Sequence, residues 1–372
     1  MTVSFGSFLS QLSDPALQCV VFLTLCVILV NGWTDAPNAI ATAVSTRALP
    51  FHTAVRLAAV CNLLGVTVMT AFNASVAESI YTIADFGGDV RGALCALCAA
   101  LCAIVLWSAA AWVFGIPTSE SHALVAGITG AAAARPGGLS NVQGDTWFRV
   151  VLGLVVSVIL GFLLGRLCGF PAVRDSRRSP AFYRRAQTGG AAAMAFFHGA
   201  QDGQKFMGVF LLGVALAQGR RDAETFLVPM WLMVLCALTM ALGTSLGGKR
   251  IIDTVGHEMV CLDARRGFAA DCAGALCLLL CTLCGLPVST THTKTAAMLG
   301  VGSSVPGHPP DWKIARSIVL TWLLTFPGCG VIGYFMARIF LSFLYKPFSF
   351  VKKAYIIDAL SRQPGQSGPV YN

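Results

Sequence analysis

Twice in this chain an aspartate, accompanied by amides and helix breakers, interrupts an apolar run long enough to cross a membrane. The first interruption is Gly32-Trp33-Thr34-Asp35-Ala36-Pro37-Asn38-Ala39, inside the run 17–44. The second is Gly199-Ala200-Gln201-Asp202-Gly203-Gln204-Lys205, inside the run 190–217. An ionisable residue in hydrocarbon costs about 2.5–3.5 kcal/mol on insertion scales, so it rarely sits there without a task. Gly and Pro unwind the backbone, and the freed carbonyls and helix ends persist only where they line a cavity or a ligand site. A kinked helix whose Asp pairs with a neighbour is the plainer alternative; recurrence of the motif weighs against it.

The rest of the chain places these motifs in a bilayer. Of 372 residues, 56% are apolar and 12% charged, against roughly 25% charged in a soluble domain. The chain reads as an all-α polytopic membrane protein. A net charge of +9 would suggest nucleic acid in a soluble protein. Here the arginines cluster between apolar runs, as a positive-inside bias requires, so no nucleic-acid partner is expected. The 14 cysteines lie mostly within apolar segments, as in Cys95, Cys98 and Cys102 or Cys272, Cys277, Cys281 and Cys284, and lack metal-site spacing. They read as small packing residues.

Apolar segments fall near 17–44, 57–77, 92–114, 121–134, 148–170, 190–217, 225–246, 268–284, 291–302 and 315–345. Segments of about 20 residues span a bilayer; 121–134 and 291–302 are too short and read as the returning arms of re-entrant hairpins. The two turns are copies: Gly115-Ile116-Pro117-Thr118-Ser119-Glu120-Ser121-His122 matches Gly285-Leu286-Pro287-Val288-Ser289-Thr290-Thr291-His292. The hairpins are 170 residues apart and the aspartates 167. The expected organisation is a membrane repeat over 1–172, a linker over 173–187, a second repeat over 188–345 and a polar tail over 346–372. Each repeat has a broken helix, a helix, a hairpin and a helix. Arg174, Arg177, Arg178, Arg184 and Arg185 put the linker in the cytoplasm, joined by Lys249, Arg250, Arg265 and Arg266; Glu78, Asp85 and Asp89 put 77–90 outside. Three full crossings per repeat then invert the second repeat and bring both termini outside, against which stand Arg220, Arg221, Lys346, Lys352 and Lys353.

The candidate chemistry sits at these four motifs. Thr118, Ser119 and Ser121, and Ser289, Thr290 and Thr291, place hydroxyls at helix N-termini, where donors and dipole both favour an anion. The same residues also suit plain helix capping. Asp35, Asn38 and Asp202 offer hard oxygens for Na⁺, or carry protons. Lys205 stands where the first motif has Asn38, and either pairs with Asp202 or touches the anion. His122 and His292 could cap, pack or carry protons, and Glu120 with Lys294 is a candidate ion pair between hairpins.

Together these motifs resemble the inorganic phosphate transporter family, the cation-coupled phosphate permeases, over nearly the whole chain. The resemblance implies inverted repeats, a phosphate site between hairpin tips and broken helices to which Gln201 and Lys205 belong, and symport with Na⁺ or H⁺. No cofactor beyond the coupling ion is implied; homodimers are common in the family. Thr34 and Gln201 depart from the family's Asn of an Asn-Asp pair, Glu120 from a small residue, and Lys294 is unusual. Sulfate permeases resemble this family, so a sulfate or related oxyanion permease is the alternative reading. The large central hydrophilic loop of eukaryotic members is missing, which implies a prokaryotic inner-membrane protein.

Two other classes fit less well. Ser119/His122 and Ser289/His292 evoke a serine hydrolase, but no Gly-x-Ser-x-Gly elbow surrounds either serine. Broken helices also build channel filters; saturable flux that needs a cation gradient separates a carrier from a channel.

Overall fold

A computed structural model describes residues 4–114, 118–174, 178–219, 227–257, 260, 262–304 and 310–345. Gly115-Ile116-Pro117 of the first hairpin tip, Arg177, Arg220, Arg221 and the tail 346–372 lie outside the described residues, as do the side chains of Arg174, Lys249 and Arg250. The described chain is helical, in the order α1 (Phe5–Gln11), α2 (Pro15–Thr34), α3 (Ala41–Ser45), α4 (Phe51–Phe72), α5 (Ser75–Tyr81), α6 (Val90–Phe114), α7 (Glu120–Ala133) and α8 (Gly144–Arg174). Then come α9 (Pro180–His198), α10 (Gln204–Ala217), α11 (Met230–His257), α12 (Ala264–Leu283), α13 (Thr290–Ser303) and α14 (Trp312–Phe340).

Local chemistry explains where these helices start. Asp14, Ser179, Asp263 and Asp311 cap α2, α9, α12 and α14 with side-chain oxygens, and Pro15 and Pro180 fill first-turn positions that need no N–H. Six helical stretches among the described residues are long and apolar enough to cross a membrane. The returning arms α7 and α13 have 14 residues each, about 21 Å of helix against a core of about 30 Å. They stop short, as the sequence requires of a re-entrant hairpin.

The long helices turn apolar residues outward while several charged residues lie inside, the reverse of a soluble domain. Phe72, Phe114, Leu163, Leu167, Leu246, Leu323 and Phe335 point outward from the long helices. Asp35, Glu120, Asp202, Lys205, Asp271 and Lys294 are all at most 1% exposed. It is a multi-pass membrane protein.

Packing between the halves is reciprocal. Short arm α7 lies against α14, and α13 against α8; α2 lies against α11, and α9 against α4. Glycines repeat the pattern atom for atom. A Cβ on Gly65 would meet the Phe196 carbonyl, and one on Gly243 the Leu29 carbonyl; Leu29 and Phe196 are 167 residues apart, the spacing of the aspartates. Likewise Gly130 packs on the Gly330 carbonyl and Gly300 on that of Phe162. Without side chains at these points the helices approach to backbone contact, the usual way helices associate in lipid. His122 and His292 hold the same place in their hairpins, and their rings meet edge to face at 4.4 Å. Equivalent residues touch in this way when the axis relating two halves runs between them.

Three expectations need correction. The second Asp motif is not a break: Gly199–Gly203 forms a π turn, with His198, Gly199, Gly203 and Gln204 all at helical dihedrals. It lacks the proline that removes an N–H from the first motif, where Asp35 and Ile40, with φ stretched to −106° and −111°, flank a 3₁₀ turn over Ala36–Ala39. The segment 57–77 is two helices, because Asn73 leaves the helix at φ −155° and its side chain accepts from Ser75 N to start α5. Lys294 does not reach Glu120; it pairs with Asp271 on the other arm of its own hairpin.

Candidate functional site

The four motifs meet in the middle of the bundle. Ser119 and Ser289 start the short arms, each accepting from the backbone N–H of the histidine three residues on, at 3.3 Å. Their hydroxyls are thus N-caps, and each O–H proton stays available for donation. The caps fix two helix N-termini, from Glu120 and from Thr290, so that the next residues face the Asp motifs.

Asp202 is the most heavily engaged group. Lys205 Nζ donates to its Oδ1 at 2.7 Å, and Thr290 Oγ1 donates to Oδ2 at 3.1 Å. Ser121 Oγ lies 3.5 Å from Oδ1 and Asn31 Nδ2 3.5 Å from Oδ2. His198 Nε2 stands 3.2 Å from Oδ2, out of line for a hydrogen bond, while its Nδ1 lies 3.3 Å from Asn62 Oδ1. The Lys205 ammonium links both hairpins, donating to Ser121 Oγ at 2.7 Å and to the Val288 carbonyl. Of the two roles open to Lys205 from the sequence, the structure shows the pair with Asp202, in a position that also touches both hairpin starts.

The first motif is arranged differently. Asn38 Nδ2 donates to Asp35 Oδ1 at 3.2 Å and to Thr291 Oγ1 at 2.9 Å, tying the unwound turn to the second hairpin. The backbone N–H of Glu120 faces the Asp35 carboxylate. Glu120 itself lies beside Asn31, Ser108 and Asp35, and neither of its oxygens reaches hydrogen-bond geometry. Asp35 Oδ2, Asn31 Oδ1 and Asn38 Oδ1 are also without a donor. These acceptor oxygens gather where the neighbouring donors, Ser108, Asn31 and the Glu120 N–H, do not complete hydrogen bonds to them, and such a group suits a cation.

Gln201 serves the turn rather than the centre. Its Nε2 donates to Thr282 Oγ1 at 2.9 Å and to the Leu286 carbonyl at 3.2 Å, and its Oε1 accepts from Val288 N at 3.3 Å. It clamps the second hairpin tip to the π turn. Thr118 is buried just before the first cap. His122 and His292 pack as aromatics, against Phe326 at 4.5 Å and Trp322 at 3.6 Å.

The pattern of the phosphate transporter family matches residues 31–171 and 169–333. The chain belongs to the phosphate transporter family. The probable low-affinity inorganic phosphate transporter of Bacillus subtilis is 34% identical over 339 residues, covering 87% of this chain and 98% of the relative. Its counterpart in Rhizobium meliloti is 36% identical over 335 residues, covering 88% and 98%. A solved structure described as the sodium-dependent phosphate transporter superposes with a TM-score of 0.78 over 89% of this chain and 100% of that one, at 22% identity. That likeness establishes a shared fold.

Some buried groups in or beside the site are not among the candidates the sequence offers. His198 carries a readable signal, lying four residues before Asp202 and hence on the same helix face. Asp271 does too, as an acid within the apolar segment 268–284. Asn62 and the Val288 carbonyl carry none, since only the packing of α4 and of the hairpin brings them in.

Proposed function

We propose that the chain imports inorganic phosphate by symport with Na⁺ or H⁺, the anion binding among the hairpin hydroxyls of Thr118, Ser119, Ser121, Ser289, Thr290 and Thr291 beside Lys205. The observation that carries this reading is the convergence of all four motifs on one buried centre. Two helix N-termini, each acting like about half a positive charge, converge there with a lysine and several hydroxyls. Every one of the named residues is at most 8% exposed, so solutes reach the centre only when hairpins or helices move. That supports an alternating carrier over a continuously open channel. The names of the relatives favour phosphate over sulfate. In proteoliposomes, labelled phosphate uptake is expected to saturate, to need an inward Na⁺ or H⁺ gradient, and to resist excess sulfate. Equal competition by sulfate would turn the assignment to a general oxyanion permease.

The repeats are proposed to run 1–172 and 188–345, inverted relative to each other in an inner bacterial membrane, with the linker cytoplasmic. Cysteines placed at Ser179 and Gly88, both exposed, are expected to react with an impermeant thiol reagent from the cytoplasm and from outside respectively. Labelling of both from one side would contradict the topology.

A further inference from the structure

The two Asp motifs occupy equivalent places, yet the groups three residues beyond each aspartate differ. Asn38 Nδ2 lies 3.2 Å from Asp35 Oδ1, and Lys205 Nζ lies 2.7 Å from Asp202 Oδ1. In the second half an ammonium therefore stands where the first half has only an amide. Both Asp202 oxygens are engaged, by Lys205, Thr290, Ser121 and Asn31. Around Asp35 the balance is reversed. Asp35 Oδ2, Asn31 Oδ1, Asn38 Oδ1 and both Glu120 oxygens complete no hydrogen bond, although Ser108, Asn31 and the Glu120 N–H lie beside them, on side chains that are at most 2% exposed. With the carboxylates and Lys205 ionised and the histidines neutral, three carboxylates face one ammonium in this centre.

We infer that each half holds one cation position, that the Lys205 ammonium fills the second permanently as a tethered cation, and that the first, lined by Asn31, Asp35, Asn38 and Glu120, takes an exchangeable Na⁺. This rests on the symport reading and sharpens it: one of two homologous coupling positions is hard-wired. The chemistry fits. Carboxylate and amide oxygens are hard ligands for Na⁺, and the homologous position accepts a single positive charge of ammonium type. Carrying its own charge at Asp202, the chain needs one fewer ion from solution to hold an anion beside that carboxylate. Glu120 supplies the first position with a second carboxylate, which its counterpart Thr290 does not supply to the second.

The test is equilibrium binding of radioactive Na⁺ to the purified full chain without phosphate. Lys205→Asn restores the Asp-x-x-Asn pattern and is expected to bind one more Na⁺ per chain than the wild type; adding Asp202→Asn should remove the extra ion. Lys205→Gln provides the same comparison if Lys205→Asn does not purify as a single species. In the otherwise native chain, Asp35→Asn is expected to weaken Na⁺ binding about 10- to 100-fold or more. Equal Na⁺ stoichiometry in wild type and the Lys205 variants overturns the inference. So does undiminished Na⁺ binding in Asp35→Asn, or displacement of Na⁺ by equimolar Mg²⁺ or Ca²⁺. Phosphate uptake is measured separately: a chain with the expected Na⁺ pattern that moves no phosphate refutes the transport reading alone.

Discussion

Lys205→Met is expected to abolish phosphate uptake and to lower the thermal stability of the protein sharply. The ammonium is 1% exposed and bonds Asp202, Ser121 and the Val288 carbonyl. Methionine keeps much of the volume and removes the charge, leaving Asp202 buried without its main counterion. Removing one member of a buried pair costs about 3–5 kcal/mol, chiefly because the survivor is left uncompensated. Adding Asp202→Asn should restore thermal stability, since no naked charge then remains, while uptake stays lost. The double-mutant cycle separates the pair's contribution from general packing loss. Wild-type uptake by Lys205→Met would remove Lys205 from the site.

The second large effect concerns a pair that the transport reading does not use. Lys294 and Asp271 are both fully buried and join the two arms of the second hairpin. Thr42 of α3 bridges them, donating to Asp271 Oδ1 at 2.6 Å and accepting from Lys294 Nζ at 3.1 Å. Lys294→Met should therefore destabilise the chain by about 3–5 kcal/mol, read as a fall in melting temperature in detergent. Lys294→Met combined with Asp271→Leu should recover most of the loss. An unchanged melting temperature in the single variant would contradict the account of this pair.

What the sequence reveals and what it hides follow from the same physics. Charge in an apolar run is a strong signal because insertion makes it costly, so Asp35 and Asp202 stand out at once. The short arms are legible because 14 residues of helix do not span a bilayer. Pairing is not legible. Glu120 and Lys294 are both charged hairpin residues, and nothing in their spacing tells that Lys294 turns toward Asp271 on the arm beside it. The second motif hides its π turn, because glycine permits a break without forcing one, whereas Pro37 forces it. Nor does spacing tell that Gln201 spends its amide on the hairpin turn while Lys205 reaches the centre, for both lie within one short motif.

The measurement that bears most directly on the central claim is phosphate affinity as a function of Na⁺. Two like charges about 4 Å apart at an effective dielectric near 20 repel by roughly 4 kcal/mol. A phosphate brought among Asp35, Glu120 and Asp202 meets more negative charge than Lys205 offsets. Helix N-termini relieve part of that, and a cation at the first motif relieves the rest. Anion and cation binding are then mutually dependent, each raising the affinity of the other by the same factor. Phosphate binding to the purified protein should strengthen as Na⁺ rises at fixed pH, and Asp35→Asn should flatten that dependence. An affinity independent of Na⁺ at fixed pH, and independent of pH in the absence of Na⁺, would contradict coupled symport.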